Sequence, residues 1–210
     1  MTAQPGRPIE WITDRRGRWI PRAWWPESRA APGHLEELRQ FVNTVNLHSG
    51  ADLLGSVAEA KAWLRESGHA PGSMTSTDVG ELTELRSILR CLAIANGGSG
   101  DGAAQWHDLQ QIAARHPVTA VFGVDSMFRP VSQRGVDAFI TAILGIVARA
   151  RIDGTWTMLK ACPEQSCHWL IYDRTKNHSA TWCSSGGCGG RVRARNYRSR
   201  HSSSTAPLAL

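Results

Sequence analysis

CPEQSCHWLIYDRTKNHSATWCSSGGCGGRVRARNYRSR, residues 162 to 200, holds four of the chain's five cysteines. They fall as two pairs, Cys162 with Cys167 and Cys183 with Cys188, each pair enclosing four residues and the pairs separated by fifteen. Four soft thiolates delivered as two short-spaced pairs suit a tetrahedral structural zinc site. Each pair curls its backbone around the ion, and the insert supplies a hairpin that carries one pair to the other. The spacer of four is longer than the commonest zinc-finger spacing. A disulfide pair needs an oxidising compartment, a redox dithiol more usually has a two-residue spacer, and an iron–sulfur cluster, also held by four cysteines, usually has other spacings. Zinc is the reading these residues support best, with His168 and His178 in the insert as alternative donors. Cys91 lies far away in an apolar helical pattern and reads as a core residue.

The charge of the chain follows the same boundary. The net charge is +6, and residues 160 to 200 carry eight Lys/Arg against Glu164 and Asp173, so the whole excess sits on this stretch and the remainder is neutral. Four thiolates around one zinc add −2 and leave about +4 there. Such asymmetry points to a polyanionic partner for one end of the molecule. Read as a helix from Cys188, the segment places Arg191, Arg195 and Arg198 within about 60° of one another. Arg193 and Arg200 lie opposite, with Tyr197 near them. Val192, Asn196 and Ser199 form a less charged facet that suits packing on the zinc module. Gly189 and Gly190 weaken the start of this helix.

C-x4-C, an aromatic run ending in Tyr172-Asp173, then Asn177, Trp182-Cys183-Ser184, Cys188-Gly189 and Arg191 with a basic tail resembles the CGNR zinc-finger family; Trp169 and Leu170 match as well. Gly190 stands where the family motif has asparagine, and Ala180-Thr181 where two basic residues usually precede Trp-Cys. Phe41-Val-Asn-Thr44 resembles the entry of the helical domain that such proteins carry, named for actinobacterial stress-induced transcription regulators (ABATE). The resemblance implies a zinc-containing, DNA-binding regulator.

Working outward, residues 1–33 form an arm rich in Trp, Arg and Pro, with tryptophans at 11, 19, 24 and 25. Asp14 to Gly17 reads as a turn between short strands at 10–13 and 18–20, whose tryptophans cover a helical core. Helices are expected over 34–47 (Leu35, Leu38, Val42, Val45), from a Ser56/Glu59 capping box to Ser67, from an Asp78 cap through 79–95, and over 103–115. The glycine-rich loop at 96–102 matches no phosphate-binding pattern. Strands are expected at 118–124 and 127–131. A central helix then runs from a Ser132 cap through Val136, Phe139, Ile140, Ile143 and Val147. A short strand over 155–159 leads into the first cysteine pair.

The expected class is mainly α with small β-hairpins (α+β). It comprises the arm at 1–33, a helical ABATE-like domain at 34–154, the zinc module with its basic helix at 155–201, and a disordered tail at 202–210. Trp169, Tyr172 and Trp182 are expected to form a small core around the zinc. Asn43, Trp24, Trp25 and Phe139 are candidates for a ligand pocket, with a capping or core hydrogen-bond role equally open to Asn43. Arg191, Arg193, Arg195, Arg198, Arg200 and Lys176 are the nucleic-acid candidates. The start carries no secretory pattern, and the most apolar run, 138–148, is shorter than the roughly twenty residues a bilayer crossing needs. A cytoplasmic protein with reduced thiols follows, with DNA as partner, a small-molecule ligand or homo-oligomer compatible, and no membrane. No nucleophile–base pairing or catalytic motif emerges. The rivals to a regulator are a protein–protein adaptor with a purely structural zinc, and a small-molecule enzyme of secondary metabolism.

Overall fold

In the computed structural model, residues 30–121, 127–131 and 134–202 are described, together with the strands β1 (Trp11–Thr13) and β2 (Trp19–Pro21). The two strands pair antiparallel, Ile12 opposite Ile20, as the arm's turn predicts. Trp24 and Trp25 lie outside the described residues, as do Ser132 and the tail beyond 202.

Six helices dominate the fold, which is α+β with three two-stranded antiparallel sheets among the described residues. α1 (Leu35–Val42) buries Leu35, Leu38, Phe41 and Val42. It stops five residues short of the expected end. Thr44 Oγ1 donates to the Phe41 carbonyl at 2.8 Å, and Val45 forms an antiparallel bridge with Asp52. Short polar side chains that bond their own backbone compete with helix continuation. The buried carbonyl end of α1 is met by α3 (Ser76–Asn96): Arg90 donates to Val42 O, and Arg86 to Thr44 Oγ1 at 3.0 Å and to both oxygens of Asp52. Burial pulls Arg90 down to about 10.

α2 (Val57–Glu66) is capped by Ser56, whose hydroxyl accepts from Glu59 N. The cap of α3 is Thr75; Asp78, expected as the cap, sits three residues in as the other half of the capping box. Thr75 and Asp78 satisfy each other's backbone donors, which explains why both residue types occur at this boundary. Cys91 is exposed on this helix and is not a core residue. The stripe Leu82, Leu85, Leu89, Leu92 and Ala93 faces inward instead.

α4 (Ala103–Arg115) leads into β3 (Val118–Val121), which pairs with β4 (Met127–Pro130). α5 (Gly135–Ile152) buries Val136, Phe139, Ile140, Ile143, Val147 and Ala150; α3, packed on α1, α2, α4 and the strand at Leu159–Ala161, rather than α5, is the helix that most other elements meet. The first turn of α5 presses so closely on residues 70–71 that a Cβ on Gly135 would collide with the Ala70 carbonyl oxygen. Residues 155–158 form a single 3-10 turn, not a strand. β5 (Leu159–Ala161) follows and pairs with β6 (Leu170–Tyr172), and α6 (Cys188–Ser202) ends the described chain. No helix among the described residues is long and apolar enough to cross a membrane.

One core joins α1 to α5 with the 3-10 turn, and it takes in Leu159 and Leu170 of the β5–β6 hairpin. A second small cluster, Cys162, Trp169, Ile171, Ala180, Cys183 and Cys188, lies on the other face of the same hairpin. Alternation along two three-residue strands thus splits the hairpin between two cores.

Candidate metal centre and basic helix

Cys162 and Cys167 bracket the turn of the β5–β6 hairpin. Cys162 N donates to Trp169 O at 3.0 Å, and the Glu164 carbonyl accepts from Cys167 N and His168 N at 2.8 and 3.1 Å. His168 takes a left-handed backbone conformation, φ 42°, to close this knuckle. The second pair spans the turn into α6. Ser184 Oγ accepts from Gly187 N, Ser184 O accepts from Gly189 N, and Cys188 opens the helix.

The four sulfurs lie within 4.8 Å of one another, with Cys167–Cys183 and Cys183–Cys188 both at 3.6 Å. Four sulfurs at about 2.3 Å around a tetrahedral zinc stand roughly 3.7 Å apart, so the site is the size the ion requires. Cys162, Cys183 and Cys188 are buried, and Cys167 is half-buried. Thiols this close cannot all ionise alone. Cys188 is held far below its ordinary value, first by the Cys162 thiol, then by Cys167 and Cys183, with Arg191 contributing last. Cys183 is pushed up by the same neighbours, Cys162 first. A divalent ion removes this conflict by stabilising all four thiolates together. No position is left open for a substrate, which makes the zinc structural.

His168 and His178 are not part of the cluster: His168 Nδ1 lies 3.1 Å from Cys162 O, and the His178 carbonyl accepts from Lys160 Nζ. Trp169 is buried beside the sulfurs, and Trp182 packs half-buried against them. Tyr172, expected in the same small core, instead packs on the helical core, with Arg174 5.7 Å from its ring centroid. Its strand position sends it to the opposite side of the hairpin from Ile171.

Asp173 organises the insert. Buried behind β6, its carboxylate accepts from Lys160 Nζ at 2.8 Å, Thr175 Oγ1 at 2.7 Å and the backbone N–H groups of Thr175 and Ala180 at 2.9 Å. Burial alone would raise its pKa. The lysine and the three other donors more than offset this and hold the carboxyl well below the ordinary range. Asn43 ties this region to α1: its Nδ2 donates to Leu170 O at 3.0 Å and its Oδ1 accepts from Leu170 N at 2.8 Å. Phe139 packs edge-on to Phe41, Trp63 and His69 at 5.1, 5.6 and 4.9 Å between ring centroids.

On α6 the facet turned to the zinc module is the arginine one. Arg191 Nη2 lies 3.2 Å from Cys188 Sγ and Arg195 Nη2 3.0 Å from Glu164, while Val192 is half-buried and Asn196 and Ser199 are exposed. A charged donor beside a zinc-bound thiolate, and an ion pair to the knuckle, outweigh the weak apolar contact the facet of Val192, Asn196 and Ser199 offers. Arg193 reaches back to Ser185 O at 2.7 Å. Arg198 and Arg200 are exposed, and Tyr197 stacks on His201 with ring centroids 3.9 Å apart. Lys176 is exposed in the insert turn.

The architecture is therefore a helical domain fused to a four-cysteine zinc module that ends in a basic helix. A family model described as "ABATE: Putative stress-induced transcription regulator" matches residues 38–153, more than half of the chain, and a CGNR zinc-finger model matches residues 158–201. The chain belongs to the ABATE family and carries a CGNR zinc finger. A search of curated proteins returns no match to it.

Proposed function

We propose that the protein is a DNA-binding transcription regulator in which the helical domain responds to a small molecule or a protein partner and the zinc module with α6 grips duplex DNA. The observation that carries this reading is the placement of charge. The entire net excess lies on residues 160–200, and α6 projects from the zinc module with Arg193, Arg195, Arg198 and Arg200 exposed. A rigid metal-stapled base with a cationic helix suits contacts to phosphates, whose neutralisation releases counterions. Arg191 serves a different role, bracing the Cys188 sulfur, and Arg195 divides its charge with Glu164. Arg193, Arg198, Arg200 and Lys176 then make the principal contacts.

The double tie from Asn43 to Leu170 supplies the path by which a change in the helical domain reaches the knuckle, since Leu170 lies three residues from Cys167. Fluorescence anisotropy with the zinc-loaded full chain and duplex DNA tests the function. Binding near roughly 50 mM salt that weakens steeply with added salt is expected; absence of duplex binding there overturns the regulator reading in favour of an adaptor.

A further inference from the structure

We propose that Glu81, His116 and Asp137 form a second metal site, within the helical domain, for a divalent first-row transition ion. The three residues come from different elements: Glu81 from α3, His116 from the turn after α4, and Asp137 from the first turn of α5. A single donor atom from each, one ring nitrogen and one oxygen per carboxylate, fits within 4.8 Å of the others. The side chains of His116 and Asp137 are 5% and 9% exposed, and that of Glu81 is 19% exposed.

The ring of His116 points to a missing ligand. Its Nε2 is buried and lies 3.1 Å from Glu81 Oε1, an ion-pair distance, yet it makes no hydrogen bond. A buried ring nitrogen without a hydrogen bond is costly. Two donors next to each other on an octahedral ion, each at about 2.1 Å, stand about 3 Å apart, and neither points at the other. The Nε2–Glu81 spacing has this character. Asp137 Oδ1 stands 3.4 Å from Nδ1, the nitrogen not facing Glu81, and is placed to orient the imidazole toward the ion.

The surrounding charges leave room for a dication. Arg115 approaches Glu81 at 3.1 Å and Glu84 at 3.0 Å; Arg134 pairs with Asp78 and lies 3.9 Å from Asp137. Among the described residues four carboxylates thus face two guanidinium groups, an excess of negative charge that suits a divalent ion. The arginine side chains are 46% and 52% exposed, so both have access to solvent if the ion takes their place. An imidazole with carboxylates suits manganese, iron, cobalt, nickel or zinc better than calcium or magnesium, and it contrasts with the all-sulfur centre.

Manganese is the probe, because it favours oxygen and nitrogen donors and leaves a zinc-filled thiolate site undisturbed. Zinc-loaded full-length protein is titrated with Mn2+, and the free ion is read by electron paramagnetic resonance. One Mn2+ bound per chain is expected, with affinity reduced by about tenfold or more in Glu81→Gln and in His116→Gln. Glu84→Gln, at an exposed neighbour of Arg115, should retain it. Should His116→Gln fail to fold, the partly exposed Glu81→Gln carries the test alone. A wild-type chain that takes up no Mn2+, or Glu81→Gln binding as well as wild type, overturns the assignment and leaves an ion-pair cluster only.

Discussion

Gly189 and Gly190 stand side by side in the first turn of α6, and their surroundings differ. A Cβ on Gly189 would lie 3.0 and 3.1 Å from ring atoms of Trp182, whereas one on Gly190 would meet nothing nearer than Ser185 O at 3.6 Å. Gly189 lets the indole lie against the helix, while Gly190 only loosens it. Gly190→Ala should therefore raise the stability of α6 by about 0.5–1 kcal/mol, and Gly189→Ala should lower that of the module; thermal melts of the zinc-loaded protein distinguish them. Asp173 offers a pH test. Its carboxyl is held below the ordinary range in the folded chain, so the unfolded chain takes up the proton first as acid is added. The stabilisation is present above the unfolded value of about 4 and lost as pH falls through the folded one. Tryptophan fluorescence should show an acid transition of the module in that lower window, and Asp173→Asn should lose stability at neutral pH and flatten the dependence. The cysteine ligands were legible in sequence because ligand spacing is local. The roles of Asp173 as a hub and Gly189 as a seat for Trp182 were not, because the partners are fixed only once the insert folds back.

The β5–β6 hairpin decides how the two parts of the chain share stability. Leu159 and Leu170 belong to the helical core, while Ile171 and Trp169 belong to the zinc cluster. Chelation of the metal should accordingly melt the knuckles and α6 while α1 to α5 keep their helicity. Circular dichroism should report a partial loss, and a complete loss would mean one indivisible unit. Asn43 is the other joint. Asn43→Ala leaves the buried N–H of Leu170 without its partner and the C=O with only the longer bond from Arg39 Nη1 at 3.4 Å, at a cost of about 1–3 kcal/mol. Faster hydrogen exchange at the Leu170 amide is the expected signature, with the zinc still bound. Most elements here were legible from periodicity and caps: α2, α4 and α6 fall where their patterns place them, β4 ends one residue early, and β3 is described from 118 to 121, residues 122–124 of the expected strand lying outside the described ones. α1 ended early because Thr44 and the buried arginines of α3 compete for its last turn. Tyr172 faced the other core because a three-residue strand gives too little alternation to assign a side by inspection.

At the scale of the whole molecule the charge divides into a neutral helical body and a cationic end, and this much is visible in the sequence. The face of α6 proposed to meet DNA is not, because helical spacing alone ranks Arg191, Arg195 and Arg198 together. In the fold, Arg191 lies against the Cys188 sulfur and Arg195 against Glu164. That separates two sets of arginines by experiment. Each phosphate left without its arginine should lower the salt slope of duplex binding by about 0.9. Replacing Arg193, Arg198 and Arg200 with alanine should reduce the slope by nearly three such steps while zinc content stays at that of the wild type. Arg191→Ala should change the slope by less than one step, because its guanidinium is half-buried against the sulfur, and should instead ease the loss of zinc to a chelator. If the two variants exchange these effects, the facet of Arg191, Arg195 and Arg198 is the one that meets DNA, and the helix must turn away from Glu164 on binding. If neither variant alters the salt slope, the cationic end does not track phosphates, and the adaptor reading takes precedence.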